Sequence, residues 1–247
     1  MAPSFLVRQD HPRALAHPLQ TASCGNITKP LDKTRPNVLL IGDSISMTPP
    51  YTPGGYGGAL EKLLADKGVA AQHAGGDFAG GQAGDSEMLT LCTNESYARG
   101  YFSGLAPGEQ WDLIHFNVGL HDLANYGPQL PATNLSQYGK NLRLAYARLA
   151  RHAKRVMWTS TTPCPNVTTS YDRSYDKVVA YNAAAVEALR PIAKTWFIDD
   201  LFSDFIKVCG DHYTSCSLQL PANVHLTPAG ITFAASQAAE KILAALA

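Results

Sequence analysis

The sequence predicts an α/β fold, a three-layer α/β/α sandwich of flavodoxin-like type around a parallel sheet of about five strands. Three observations lead there. Short aliphatic and β-branched runs recur along the chain and read as strands buried on both faces. Segments with apolar residues at helical spacing alternate with those runs, which calls for parallel strands joined by right-handed crossovers. With 247 residues, 45% of them hydrophobic, the chain can bury a sizeable core as one domain.

The first strand is residues 37–41, closed by Gly42 and followed by Asp43 and Ser44. Leu60, Leu63 and Leu64 share one face of a helix over 56–67, and Gly68 supplies its stop. Residues 69–74 make a second strand, and the Gly-rich run 75–86 is too irregular for either element and reads as a loop at the sheet edge. A third strand over 111–118 ends at Gly119-Leu120-His121-Asp122. A long helix follows over 135–152, with Leu142, Ala145, Tyr146 and Leu149 on one face. Residues 155–160 form a fourth strand, stopped by Pro163 and Pro165; 175–189 form a helix and 195–199 a fifth strand. Thr227 as N-cap and Pro228 at the first helical position open a last helix that runs to Leu246.

Residues 1–36 scatter Pro12, Pro18, Pro30 and Pro36 among polar residues with no apolar period. The expected organisation is an extended arm over 1–36 and a single domain over 37–247. Phe5, Leu6 and Val7 are followed at once by Arg8, Gln9 and Asp10, too short a run for the core of a secretory signal. Twenty Lys and Arg balance twenty Asp and Glu, so no global field attracts nucleic acid or an anionic membrane. No apolar run is long enough to span a bilayer, and a monomer is expected.

Four sequons, at Asn26, Asn94, Asn134 and Asn166, suggest a secreted glycoprotein. Cys209 and Cys216 flank a short loop that a disulfide could close, while Cys24, Cys92 and Cys164 leave one further pair and one odd thiol. Buried, inert thiols are the blander reading. The expectation is a protein of the secretory pathway, with a cytoplasmic location left open.

Polar or small residues collect at Gly42-Asp43-Ser44, Gly81-Gln82-Ala83-Gly84, Gly119-Leu120-His121-Asp122 and Asn223-Val224-His225. In a parallel sheet these exits share one edge, where open α/β sheets keep their sites. Serine is a weak nucleophile unless a base and oxyanion donors stand beside it. Ser44 is the candidate nucleophile and His225 the natural base, although Gly-Asp-Ser alone also suits an ordinary turn and His225 could simply open the last helix. His121, Asp122 and His225 have metal-donor chemistry, but no local pair fixes two ligands on one element, so no metal and no cofactor is expected. Gly54-Gly55-Tyr56-Gly57-Gly58 lacks the ending of a phosphate loop and reads as a flexible segment beside the site.

The pattern as a whole resembles the SGNH hydrolases, also called GDSL esterases and lipases, over roughly Asn37 to the C-terminus. The resemblance implies that Ser44 is the nucleophile and that its own backbone N–H is one oxyanion donor. It implies a second donor at Gly84 and a third at His121, which stands where the family carries asparagine. His225, followed by Leu226-Thr227-Pro228-Ala229-Gly230, is similar to the family's terminal block. The ring N–H of His121 can replace a side-chain amide only in a suitable tautomer or when protonated. His121 beside Asp122 also fits a hydrogen-bonded pair that only shapes the loop.

A second departure is Ala222, three residues before His225, where the family keeps its triad aspartate. The orienting acceptor for His225 is then Asn223, a backbone carbonyl, or a carboxylate such as Asp199, Asp200 or Asp211. Asp43 is expected to brace the serine loop and Asp122 to support the site. His73, His115 and His212 receive no role.

The function implied is hydrolysis of an acyl ester of a carbohydrate, lipid or small molecule through an acyl-enzyme on Ser44. Tyr51, Tyr56, Phe78 and Tyr126, expected on loops near the site, suit stacking on a sugar ring. The alternative is an impaired carbohydrate- or lipid-binding protein that keeps the fold, motivated by Ala222 and His121.

Overall fold

The computed structural model describes residues 24, 30–46, 55–74, 84–97, 100–102, 104–125, 133–166, 170–195 and 197–247. Nearly all of the expected arm, and the loops carrying Tyr51, Phe78 and Tyr126, lie outside them. Five strands, β1 (Asn37–Ile41), β2 (Ala70–His73), β3 (Leu113–Phe116), β4 (Val156–Thr159) and β5 (Phe197–Asp199), form one sheet in the order β2-β1-β3-β4-β5. Every pairing is parallel. All residues of β1, β3 and β4 are buried, as expected of aliphatic runs covered on both faces.

Among the described residues six α-helices cover the sheet: α1 (Gly57–Asp66), α2 (Ser86–Cys92), α3 (Leu135–Leu149), α4 (Tyr175–Leu189), α5 (Leu201–Cys209) and α6 (Pro228–Leu246). α1 packs on α6, which also meets α5, β3 and β5, while α3 packs against both α2 and α4. Helices thus occupy both faces, which gives the three layers. Five of the six begin at a side-chain cap: Asp85, Asn134, Ser174, Asp200 and Thr227 each accept from the backbone N–H three residues on. Thr227 followed by Pro228 starts α6 as the sequence predicts.

The expectation for Tyr56 is overturned. It lies 2% exposed in the core and is unavailable for stacking on a sugar. Its neighbours Gly57 and Gly58 belong to the first turn of α1 rather than to a flexible segment. A Cβ on Gly57 would stand 2.2 Å from the Ser46 carbonyl oxygen and 2.3 Å from the His73 ring. The bare glycine lets the helix start close against the Ser46 turn, and that approach buries the tyrosine.

A buried polar cluster lies across the sheet. The His115 ring is 2.9 Å from Asp199 Oδ2 and 2.5 Å from Thr159 Oγ1, and Lys241 of α6 donates to Asp199 Oδ1 at 2.9 Å and to Asp204. Asp200 accepts from Ser160, Ser203 Oγ and the Ser203 amide as the cap of α5, and Asp211 accepts from the Tyr175 hydroxyl. Asp199, Asp200 and Asp211 are all engaged away from His225.

Two disulfides are present, Cys24–Cys92 and Cys209–Cys216; Cys164 is free and buried, its thiol pushed up to about 12 by desolvation. Cys24–Cys92 ties a residue of the N-terminal segment to the end of α2 across 68 positions. On chain-entropy grounds a closure of that length restricts the unfolded chain by about 4 kcal/mol. The Cys24→Ser variant should therefore unfold at clearly lower urea concentration than the parent, with a somewhat steeper slope because its unfolded chain is less compact, and equilibrium denaturation would measure both.

Candidate active site

The site grows from the strand order. β1 has β2 on one side and β3 on the other, so the connections that follow β1 and β3 run in opposite directions, and the carboxyl edge between them is the switch point at which open α/β sheets keep their sites. Ser44 sits just past β1, in a turn closed by the Ser46 N–H on the Asp43 carbonyl at 3.0 Å. The Asp43 side chain accepts from the Ile45 N–H at 2.9 Å, the brace expected of it. Its other oxygen, Oδ2, is buried with no hydrogen-bond partner among the described residues.

His225 reaches Ser44 from the far end of the chain. It is held by a short antiparallel pairing in which Leu220 N–H donates to the His225 carbonyl and Thr227 N–H to the Leu218 carbonyl. Buried Gln219 donates to the Pro163 and Val224 carbonyls and accepts from Tyr213, which sits in the loop closed by the Cys209–Cys216 disulfide. His225 Nε2 lies 3.0 Å from Ser44 Oγ, and both residues are half-buried, so solvent reaches the pair.

Asn223 is the side chain that faces the far side of the ring. Its Oδ1 lies 2.8 Å from His225 Nδ1 and accepts from the His225 backbone N–H at 3.1 Å. The backbone N–H can only donate, so the Asn223 atom facing it is the oxygen. Nδ1 must then carry the ring proton, which leaves Nε2 free to accept from Ser44. Ala222 cannot supply this contact, and it occupies a special place: its φ is +48°, after Pro221, in a turn closed by the Asn223 N–H on the Leu220 carbonyl. That left-handed residue turns the chain so that Asn223, two positions before the histidine, faces the ring.

The side expected to hold the oxyanion is built from the β3 exit and the start of α2. Gly119 to Leu123 forms a single helical turn, with Leu123 N–H donating to the Gly119 carbonyl. A Cβ on Gly119 would stand 2.3 Å from Thr161 Oγ1, so only glycine fits there. His121 projects towards Gly84: a Cβ on Gly84 would lie 3.9 Å from His121 Cγ and 4.0 Å from Nδ1. Asp122 is fully buried and turns away from its neighbour, accepting from Ser86 N–H at 3.1 Å and Ser86 Oγ at 2.6 Å. Asn141 Nδ2 of α3 donates to that same hydroxyl at 2.9 Å. Asp122 thus locks the oxyanion turn to the helix that follows Gly84, and burial pushes its carboxyl up to about 7 against the opposing hydrogen bonds from Ser86.

Burial lowers His225 below its ordinary value of 6.5; Asp43 opposes that shift, while Arg173 and His121 add to it. The imidazole is therefore neutral, and competent as a base, at neutral pH. Because the folded state resists protonation here, the contribution to stability is full above 6.5 and is lost as pH falls through the lowered value.

The structure brings Ser44, His225, Asn223, Asp43, Gly84 and His121 to one edge, with Asp122 behind them. Ser86 and Arg173 were not legible as site residues, because nothing in their local pattern distinguishes a supporting hydroxyl or guanidinium from a surface one. Among the described residues no group of three His, Cys, Asp or Glu could hold a metal ion.

A family model described as the GDSL-like lipase/acylhydrolase family matches residues 40–231. The chain belongs to that family. Membership makes it a hydrolase acting on ester bonds. No curated protein sequence matches it significantly. Solved structures resemble this GDSL-family fold at low identity. A lipase/acylhydrolase from Enterococcus faecalis is 13% identical with a TM-score of 0.61, over 84% of this chain and 95% of that one. An acetylxylan esterase from Geobacillus stearothermophilus is 15% identical with a TM-score of 0.59, over 85% and 94%. A carbohydrate esterase family 3 protein from Talaromyces cellulolyticus is 15% identical with a TM-score of 0.56, over 85% and 98%. At such identities the likeness is one of fold.

The Asn223 contact sets two expectations. Asn223→Ala should lower kcat by about 10³-fold with little change in KM, as expected when the histidine loses its tautomer and aim. Asn223→Asp should keep activity and move the acid limb of kcat/KM upward, since a carboxylate favours the imidazolium. In the parent that limb should lie below 6.5. Unchanged kcat in Asn223→Ala would remove Asn223 from the orienting role.

Proposed function

We propose that this GDSL-family hydrolase cleaves a carboxylic ester through a covalent acyl-enzyme on Ser44. The observation that carries the reading is the continuous chain from Ser44 Oγ to His225 Nε2 at 3.0 Å and from His225 Nδ1 to Asn223 Oδ1 at 2.8 Å. Ser44 Oγ attacks the ester carbonyl as its proton passes to Nε2. The Ser44 and Gly84 backbone N–H groups and the His121 ring hold the oxyanion. On collapse the His225 proton goes to the leaving alcohol, and water, activated by the same ring, then releases the acid.

Orientation and charge are divided between two residues. Asn223 aims the ring without a charge, and the buried Asp43 carboxylate supplies the negative field that favours imidazolium in the transition state. The unpartnered Oδ2 of Asp43 supports that role, since a buried polar atom left unpaired calls for a reason. The reading of an impaired binding protein rested on Ala222 and His121; the Asn223 contact answers the first of these and favours turnover.

The substrate class we favour is a short acyl ester, foremost an acetyl ester, on a carbohydrate. The fold likeness to proteins named as acetylxylan and carbohydrate esterases supports it. Action in the secretory pathway fits two disulfides and the exposed side chains of Asn134 and Asn166 within sequons. No helix among the described residues is long and apolar enough to cross a membrane.

Intact-mass labelling with a fluorophosphonate tests the mechanism. One adduct should form on the parent and none on Ser44→Ala or His225→Ala; a parent that stays unlabelled at every pH would return the binding-protein reading. Acetate release from acetylated xylo-oligosaccharides should outpace hydrolysis of a long-chain p-nitrophenyl ester, and the reverse order would point to a lipid substrate.

A further inference from the structure

Arg173 is a charged residue that the proposed mechanism does not use, yet it is only 9% exposed. Arginine is rarely buried unless it is committed to a partner. Its Nε donates to the Leu120 carbonyl at 2.8 Å, immediately before His121 in the oxyanion turn. Three other carbonyls around that turn have backbone or hydroxyl partners. Val118 accepts from the Tyr138 hydroxyl at 2.9 Å, Gly119 from Leu123 N–H at 3.0 Å, and Asp122 from Thr133 N–H at 3.0 Å. The Leu120 carbonyl is the one given to a side-chain cation.

The backbone before Arg173 is unusual. Tyr171 and Asp172 have φ of +64° and +52°, two consecutive left-handed residues with side chains. Such conformations persist only where the surroundings over-determine them. Here Asn125, two residues beyond the oxyanion turn, donates its N–H to the Tyr171 carbonyl at 2.8 Å and its side-chain amide to Asp172 at 2.6 Å. Lys177 of α4 donates to the Asp172 carbonyl and carboxylate, both at 2.7 Å, and the Arg173 guanidinium lies 5.3 Å from the centre of the Tyr171 ring. The segment before α4 and the segment after β3 are clasped at two points, with the histidine turn between them.

We propose that Arg173 is a positioning residue that holds the Leu120 carbonyl and thereby aims His121 at the oxyanion, while its charge favours the negative side of the tetrahedral intermediate. The inference rests on the acyl-enzyme reading of Ser44. The groups facing His225 are Asp43, Arg173 and His121, together with the uncharged Asn223. Arg173 and His121 oppose protonation of the ring and Asp43 favours it, so removing the guanidinium charge lets the ring protonate at higher pH.

The test follows hydrolysis of p-nitrophenyl acetate across a pH series for the parent, Arg173→Met, Arg173→Lys and Ser44→Ala, with thermal unfolding of each. Arg173→Met should lose about 10²-fold in kcat with KM within a few-fold, the scale expected of a misplaced catalytic group, and its acid limb should move upward. Arg173→Lys keeps the charge without the planar donor, so its acid limb should stay near the parent's while kcat still falls. A folded Arg173→Met with parental kcat and an unmoved acid limb overturns the proposal. If Arg173→Met does not fold, parental kcat in Arg173→Lys overturns it instead. Turnover surviving in Ser44→Ala would sink the acyl-enzyme reading itself. A silent Ser44→Ala beside a fully active Arg173→Met would sink only the role of Arg173.

Discussion

Everything in this site hangs on the burial of β1 between two parallel neighbours. All five of its residues are buried, with β2 bonded on one side and β3 on the other. Close packing on both faces holds the register, because a slip of one residue would turn every side chain into a space shaped for a different one. The register in turn fixes where the strand stops. Ile41 pairs with Phe116, so the turns carrying Ser44 and His121 leave neighbouring strands at the same height. Helices that begin at this edge bring Gly84 and His225 to it from either face of the sheet, as the residues just before α2 and α6.

The polar contacts then convert a shared edge into a defined geometry. Asp122 ties the β3 exit to Ser86 at the start of α2, and Gln219 ties the histidine hairpin to the Pro163 carbonyl beyond β4. Each is buried, and each would leave an unpaired polar atom if broken, which makes the arrangement sharply specified. Around His225 the electrostatics are balanced: burial, Arg173 and His121 favour the neutral ring, and Asp43 favours the charged one. A neutral Asn223 as the orienting group leaves that balance untouched, where a carboxylate at the same place would raise the ring's affinity for a proton.

Much of this was legible in the chain. The three central strands are visible because runs buried on both faces need no partner to announce themselves, the half-buried edge strands β2 and β5 because strand and helix segments alternate, and α6 because Thr227 and Pro228 mark its start. α2 and α5 are absent from the sequence reading for a physical reason. With seven and nine residues they are too short to display a helical period, and their capping residues Asp85 and Asp200 look like turn residues. Tyr56, flanked by glycines, reads as an exposed loop aromatic; the missing Cβ at Gly57 is what lets the tyrosine be buried. Asp199 and Asp200 read as spare carboxylates near the site, and they belong instead to Lys241 with His115 and to the α5 cap.

What the sequence determined by itself was the fold class and the two ends of the Ser44–His225 contact. Ser44 and His225 carry local signals, a strand closed by Gly-Asp-Ser and a histidine just before a capped helix. Only the tertiary structure decided which group orients the histidine and what holds the oxyanion turn. The choice of Asn223 over four other acceptors depends on the left-handed turn at Ala222 and on Asp199, Asp200 and Asp211 being held by partners from distant segments. Arg173 and Leu120 are 53 positions apart, as Asn141 and Ser86 are 55. Strand period and helix caps are set by near neighbours and can be read along the chain. Hydrogen bonds between distant segments are set by where the sheet places its edges, and a linear pattern does not encode that distance.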